Sequence, residues 1–116
     1  MKKKFLLLFI FLALAIGAMV FLLPKESKAN LDSFAQCLSS KGAVMYGAYW
    51  CSHCQNEKNA FGESFKFVNY VECTEKPNEC LAKGVQSYPT WIFSDGKRLV
   101  GEQGITKLQE ISGCPL

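Results

Sequence analysis

The sequence predicts an α/β domain in which helices sandwich a mixed β-sheet, set behind an apolar N-terminal segment. Three observations predict it. The elements run helix, strand, helix, strand, helix, hairpin, helix. Ala43 to Trp50 (AVMYGAYW) is apolar and aromatic throughout, the pattern of a central strand covered on both faces. An Asp-Gly pair, Asp95 and Gly96, joins two short strand-like runs as a hairpin. A strand, a helix and a second strand in a two-layer arrangement imply a crossover with parallel pairing, and the hairpin adds antiparallel strands at one edge.

Along the chain, Lys2, Lys3 and Lys4 precede residues 5–23, which are apolar apart from Gly17, and Pro24 follows. This is either an uncleaved membrane anchor or a secretory signal peptide. Length favours the anchor, because about 20 apolar residues match a bilayer core, whereas a signal peptide's apolar region usually has about 7 to 15. Ser27 and Ala29 put small residues at the positions a signal peptidase reads, so cleavage after residue 29 stays open. Under both readings the lysines hold the N-terminus in the cytoplasm and send the rest across. The domain is therefore expected to face the periplasm, a lumen or the cell exterior, anchored through residues 5–23 or secreted if residues 1–29 are removed. A buried core helix is excluded, since so small a domain cannot cover a helix that is apolar on every side. Residues 1–30 are read as anchor or signal with a short linker, and 31–116 as the domain.

The 116-residue length excludes a multidomain enzyme. Net charge is +3, but five of the 13 Lys and Arg lie in the first 30 residues, and from Leu31 onward eight basic residues face nine acidic ones. A near-neutral domain carries no electrostatic footprint for nucleic acid, and none is expected as a partner. A domain of this size hides only roughly 60 to 65% of the surface its unfolded chain exposes, so it needs covalent help. Six cysteines can supply it, and they point to an oxidising compartment.

Leu31, Phe34, Ala35 and Leu38 recur at helical spacing, so residues 31–40 read as an amphipathic helix that contains Cys37 and ends near Gly42. After the central strand, Cys51 to Phe61 reads as a helix closed by Gly62. Phe65 to Glu72 alternates imperfectly and is expected to be the second strand. Pro77 and Asn78 open a short helix closed by Gly84. Thr90–Phe93 and Arg98–Val100 flank the hairpin turn. In the last helix Thr106 and Gln109 fit a capping box, Ile105, Leu108 and Ile111 share a face, and Gly113 closes it.

The chemistry sits in Trp50-Cys51-Ser52-His53-Cys54, where a buried strand turns into a helix. Two residues three apart on a helix have Cβ atoms about 5 to 6 Å apart, within reach of a disulfide that opens and closes with little backbone motion. Unpaired N–H groups and the macrodipole at a helix N-terminus favour an anion, so Cys51 is expected to be the thiolate nucleophile. Cys54, one turn deeper, would resolve the mixed disulfide. His53 between them further stabilises the thiolate, and stabilising the reduced form makes the oxidised pair a better oxidant. Two other readings compete: a zinc site completed by Cys73 and Cys80, and a purely structural 51–54 disulfide. Structural zinc pairs usually sit on tight knuckles rather than after so aromatic a strand, and so small a loop contributes little chain entropy.

These residues resemble the thioredoxin superfamily over residues 31–114: a central strand ending in Trp-Cys-x-x-Cys, a later Pro89-Thr90 opening a strand, and Asp-Gly-Lys in the hairpin. The resemblance implies a thioredoxin-like three-layer sandwich with a central mixed β-sheet flanked by helices. More narrowly, YGAYWCSHCQNEKNAFG, CTEKPNEC and SYPTW resemble the thioredoxin-like domain that accompanies vitamin K epoxide reductase homologues, fused or as a separate membrane-anchored partner. That likeness implies disulfide traffic between a quinone-coupled membrane enzyme and exported protein thiols. It also implies Cys51 as attacking thiol, Cys54 as resolving thiol, and Pro89 as a cis-proline facing them, with the Tyr88 backbone free to pair with an extended substrate segment. The Ser52-His53 dipeptide resembles the sites of protein disulfide isomerases and periplasmic disulfide oxidases. Reducing members usually hold a buried acid six residues before the first cysteine. Here that position is Met45, which agrees with an oxidant.

Cys37, Cys73, Cys80 and Cys114 allow three pairings. The expected one joins Cys73 to Cys80, stapling a strand end to the next helix, and Cys37 to Cys114, tying the first helix to the C-terminus. A relay role for one of these pairs stays open. Trp50 and Tyr88 are candidates for an apolar rim where an unfolded client rests, while most other aromatics are read as core. No cofactor is implied, no metal is expected around the single histidine, and the domain is expected to be monomeric. The competing functions are a reductant of apocytochrome or metallochaperone thiols and a non-enzymatic zinc-binding or adaptor module.

Overall fold

The computed structural model describes residues 1–21 and 30–116. The signal-peptidase positions Ser27 and Ala29, and the linker up to residue 29, lie outside the described residues. Lys2–Phe21 forms α1, a 20-residue helix with no buried residue that is long and apolar enough to cross a membrane.

Within the domain, Asp32–Ser40 forms α2 and buries Phe34, Ala35 and Leu38, the predicted stripe. The central strand β1 covers only Val44–Gly47 and is shorter than its aromatic run. At Ala48 the chain turns, its carbonyl accepting the Cys51 N–H at 3.1 Å, and Tyr49 and Trp50 emerge into solvent. Aromatic content alone did not separate a strand residue from an exposed rim. Ser52–Phe61 forms α3.

The expected strand from Phe65 is a second correction. Gly62–Phe67 is a 3₁₀ segment, and β2 begins only at Asn69 and runs to Glu72. Side chains from α2 hold that segment: Ser64 Oγ donates to Asp32 Oδ1 at 2.6 Å, and Ser39 Oγ donates to the Phe67 carbonyl. Phe65 packs edge-on against Phe61 and Tyr70 with ring centroids 6.0 and 5.6 Å apart. These anchors come from outside the segment, so its imperfect alternation misled.

Pro77–Ala82 forms α4, Thr90–Ile92 β3, Arg98–Val100 β4 and Gly104–Ser112 α5. The sheet order is β2-β1-β3-β4, with β1 parallel to β2 and antiparallel to β3, and β3 antiparallel to β4. Gly96 turns the hairpin with φ +85°, and Asp95 Oδ1 accepts the Lys97 N–H at 2.9 Å. Because side chains alternate along β1, Met45 enters a core shared with α2, α3 and α5, while Tyr46 enters a smaller core with Val71, Cys80 and Val85 on the α4 side. The result is a three-layer arrangement about a mixed sheet.

The capping box predicted at Thr106 does not form, because the N-cap falls three residues earlier, at Gln103, which contributes no side-chain cap. A buried carboxylate from α3 does that work: Glu57 accepts the N–H groups of Gln103 and Gly104, both at 2.7 Å. Cys37 is bonded to Cys114 across 77 residues, and Cys73 to Cys80 across seven. In the loop-entropy treatment the longer closure contributes about 4 to 5 kcal/mol and the shorter about 2 kcal/mol.

Candidate active site

The parallel pairing of β1 and β2 leaves β1 pointing at the start of α3. Cys51 is the N-cap of that helix, with extended backbone (φ −78°, ψ 120°). Cys54 lies one turn further on. Both thiols are free, but Cys51 is half-buried and Cys54 is fully enclosed, at 0% exposure. One sulfur meets solvent and the other does not.

Burial pushes the Cys54 thiol up to about 12, and its hydrogen bond with Cys51 adds to the rise. A backbone hydrogen bond at Ala48 and the Lys58 charge pull the other way without overcoming it. Gly47, at the end of β1, makes the close packing possible. A Cβ there would stand 2.9 Å from Cys54 Sγ and 3.2 to 3.3 Å from the Tyr70 ring and hydroxyl. Met45, two residues back on β1, is wholly buried.

Across from the cysteines, the Tyr88–Pro89 bond is cis and Pro89 is buried. Cys51 Sγ lies 3.6 Å from the Tyr88 carbonyl oxygen. Trp50, 60% exposed, meets the half-buried Tyr88 edge-on, with centroids 6.0 Å apart. Ser52 is exposed on the first turn of α3. The structure therefore brings Trp50, Cys51, Cys54, Tyr88 and Pro89 together at one end of the sheet.

His53 is exposed and turns to the loop before α5, where its Nδ1 lies 2.9 Å from Glu102 Oε2. Asn56 Nδ2 donates to the same oxygen at 3.3 Å. These hydrogen bonds, His53's first, hold the Glu102 carboxyl below its ordinary value. Two carboxylates thus join α3 to this loop, Glu57 reaching out from the helix and Glu102 reaching in. Sequence reasoning missed Glu57, Glu102 and Tyr70. The stretch Gly101-Glu102-Gln103-Gly104 does mark a tight loop, but nothing in it names the helix it would meet.

Cys37, Cys73, Cys80 and Cys114 are bonded two by two and leave Cys51 and Cys54 as the free pair. The zinc arrangement needs Cys73 and Cys80 as thiolates, and those two sulfurs are bonded to each other.

The family model for thioredoxin matches residues 25–113. The Thiol-disulfide oxidoreductase LTO1 of Arabidopsis thaliana is 42% identical over 103 residues, a match covering 81% of this chain and 27% of that protein. The Thioredoxin domain-containing protein 5 homolog of Drosophila melanogaster is 30% identical, over 73% of this chain and 24% of that protein. The chain thus spans about a quarter of the length of these curated relatives. Among solved structures, the oxidised thioredoxin from Plasmodium falciparum is similar with a TM-score of 0.48 and 19% identity, over 75% of this chain and 90% of that one.

Proposed function

The chain belongs to the thioredoxin family and is a homologue of a thiol-disulfide oxidoreductase, and on that premise we propose that it exchanges disulfides with exported protein thiols through Cys51 and Cys54, outside the cytoplasm, as an oxidant that a quinone-coupled membrane partner resembling vitamin K epoxide reductase reoxidises. The observation that carries this reading is the asymmetry of the pair: a half-exposed sulfur capping α3, backed by a sulfur with no exposure.

In the forward half-reaction a client thiolate attacks Cys51 Sγ of the oxidised pair. The client–Cys51 bond forms, the Cys51–Cys54 bond breaks, and Cys54 leaves with the electron pair and takes up a proton. A second client thiolate then attacks the client sulfur of the mixed disulfide and releases Cys51 as a thiolate, so the client loses two electrons and the pair gains them. Burial of Cys54 favours its protonated state, which makes it a poor returning nucleophile while the client completes its bond. Cys51 caps α3, whose N-terminal N–H groups and dipole attract negative charge, while His53 pairs with Glu102 instead of the sulfur. Trp50, Ser52 and Tyr88 form the rim against which the client rests, and the Tyr88 backbone next to Pro89 pairs with its extended segment. The apolar helix α1 supports a membrane-tethered site.

Equilibration of the pair against glutathione tests the direction of flow. A reduction potential near that of disulfide isomerases, about −180 mV, supports the oxidant, and one near thioredoxin, about −270 mV, replaces it with a reductant.

A further inference from the structure

Reoxidation presents a problem that the forward reaction does not. Once Cys51 has attacked an oxidant's disulfide, the Cys54 thiol must lose its proton to attack Cys51 and release the oxidant's sulfur. Burial holds that thiol well above its ordinary value, so little of it is ionised at neutral pH. Nothing on β1 can take the proton, since Met45, Tyr46 and Gly47 offer no carboxylate or imidazole. Glu57, a buried acid one turn beyond Cys54, has its oxygens occupied by the N–H groups of Gln103, Gly104 and Trp91.

The neighbouring strand offers a route. Cys54 Sγ and the Tyr70 hydroxyl lie 2.9 and 3.3 Å from one point, the place where a side chain on Gly47 would begin. That puts them within about 6 Å of each other, side by side against the Gly47 backbone. The Tyr70 hydroxyl donates to Glu72 Oε1 at 3.1 Å, and Glu72 Oε2 accepts from Thr74 Oγ1 at the half-exposed end of β2. Lys58 Nζ stands 3.9 Å over the Tyr70 ring. The charged and titratable groups around the thiol are thus Cys51 and Lys58 from α3 and Tyr70 with Glu72 from β2.

The geometry points to Tyr70 and Glu72 as the proton exit for Cys54: the Tyr70 hydroxyl takes the thiol proton as it passes its own to the Glu72 carboxylate, with Lys58 steadying the negative charge. The inference rests on the redox reading above. The step balances: the Cys54 electron pair forms the Cys51–Cys54 bond, the bond from Cys51 to the oxidant breaks, the oxidant's sulfur leaves as a thiolate, and the proton passes from Glu72 to solvent. Gly47 serves this route by letting the sulfur and the Tyr70 ring both pack against its bare backbone.

The test uses the reduced full chain in detergent and oxidised glutathione, with acid quenching and mass spectrometry to separate adduct formation on Cys51 from its collapse. Tyr70→Phe removes only the hydroxyl and keeps the ring beneath Lys58. We expect it to slow collapse about tenfold to a hundredfold at pH 7 while adduct formation stays within about twofold. Its collapse rate should then climb about tenfold per pH unit, as reaction through hydroxide requires. Glu72→Gln should do the same, and the double variant should be no slower than either alone. Collapse at the native rate in both single variants, or equal slowing of both steps, overturns the proton exit and leaves the redox reading intact. Absence of any adduct on Cys51 of the native protein overturns the redox reading and the exit with it.

Discussion

The Glu57 carboxylate in the middle of α3 accepts the backbone N–H of Gly104 at the start of α5, 2.7 Å away, and it does so from full burial. Its other oxygen takes the N–H of Gln103 at 2.7 Å and the Trp91 indole N–H at 3.3 Å. The helix that carries the cysteines therefore also caps the last helix and holds a core tryptophan of β3. Replacing Glu57 by Gln removes the charge and turns a donor toward backbone donors, which should cost about 2 to 3 kcal/mol, and Glu57→Ala about 3 to 5 kcal/mol. Denaturant unfolding of the full chain in detergent measures both. A midpoint unchanged from the native protein would show that the cap contributes nothing.

Gly47→Ala should be poorly tolerated although alanine is the smallest addition. The new Cβ meets Cys54 Sγ at 2.9 Å and Tyr70 from β2 at 3.2 Å, so either the helix or the strand must move. We expect a loss of about 1 to 3 kcal/mol, larger in the reduced protein if the sulfur is what yields. The comparison of reduced and oxidised unfolding midpoints reads out which neighbour moves.

The pair also sets a difference in alkaline stability. In the unfolded chain the Cys54 thiol ionises near its ordinary 9.0, whereas in the folded reduced protein burial holds it at about 12. Between these values the unfolded state releases a proton that the folded state keeps. Stability of the reduced form is therefore complete below about pH 9 and falls as pH rises from there toward 12. In the oxidised form Cys54 does not titrate, while Tyr46, whose value burial also raises, titrates in both forms. The stability of the reduced form relative to the oxidised form should therefore fall as pH rises above 9. A constant gap would contradict the burial of that thiol.

Cys54→Ser should trap clients. Without the buried sulfur, the Cys51 thiolate attacks a disulfide of an oxidised, unfolded client, one client sulfur leaves as a thiolate, and the mixed disulfide has no internal route to collapse, so adducts should accumulate at least about tenfold over the native chain on non-reducing gels. Cys51→Ser should accumulate none. Adducts of equal yield on both variants would show that the roles of the two sulfurs are not divided as proposed.

Much of this fold is legible in short-range pattern. The 31–40 helix, the Asp-Gly hairpin and the placement of Cys51 and Cys54 at a strand-to-helix turn each depend on residues within a few positions of one another, and spacing reports such relations directly. The 3₁₀ segment at Gly62–Phe67 was not legible, because Ser39 and Asp32 on another helix hold it. The start of α5 was not legible either, because its cap comes from Glu57, 47 residues earlier.

The sequence by itself determined the class of fold, the apolar helix at the N-terminus and the pair of cysteines proposed to carry the chemistry, since these follow from composition, periodicity and a spacing of three. Only the tertiary structure decided that one of those sulfurs is enclosed, that His53 faces Glu102 rather than standing alone, and that Tyr70 and Glu72 stand behind the buried thiol. Periodicity tells a residue which face of its own element it occupies. Which distant group that face meets is set by the packing of whole elements, and no local spacing contains it.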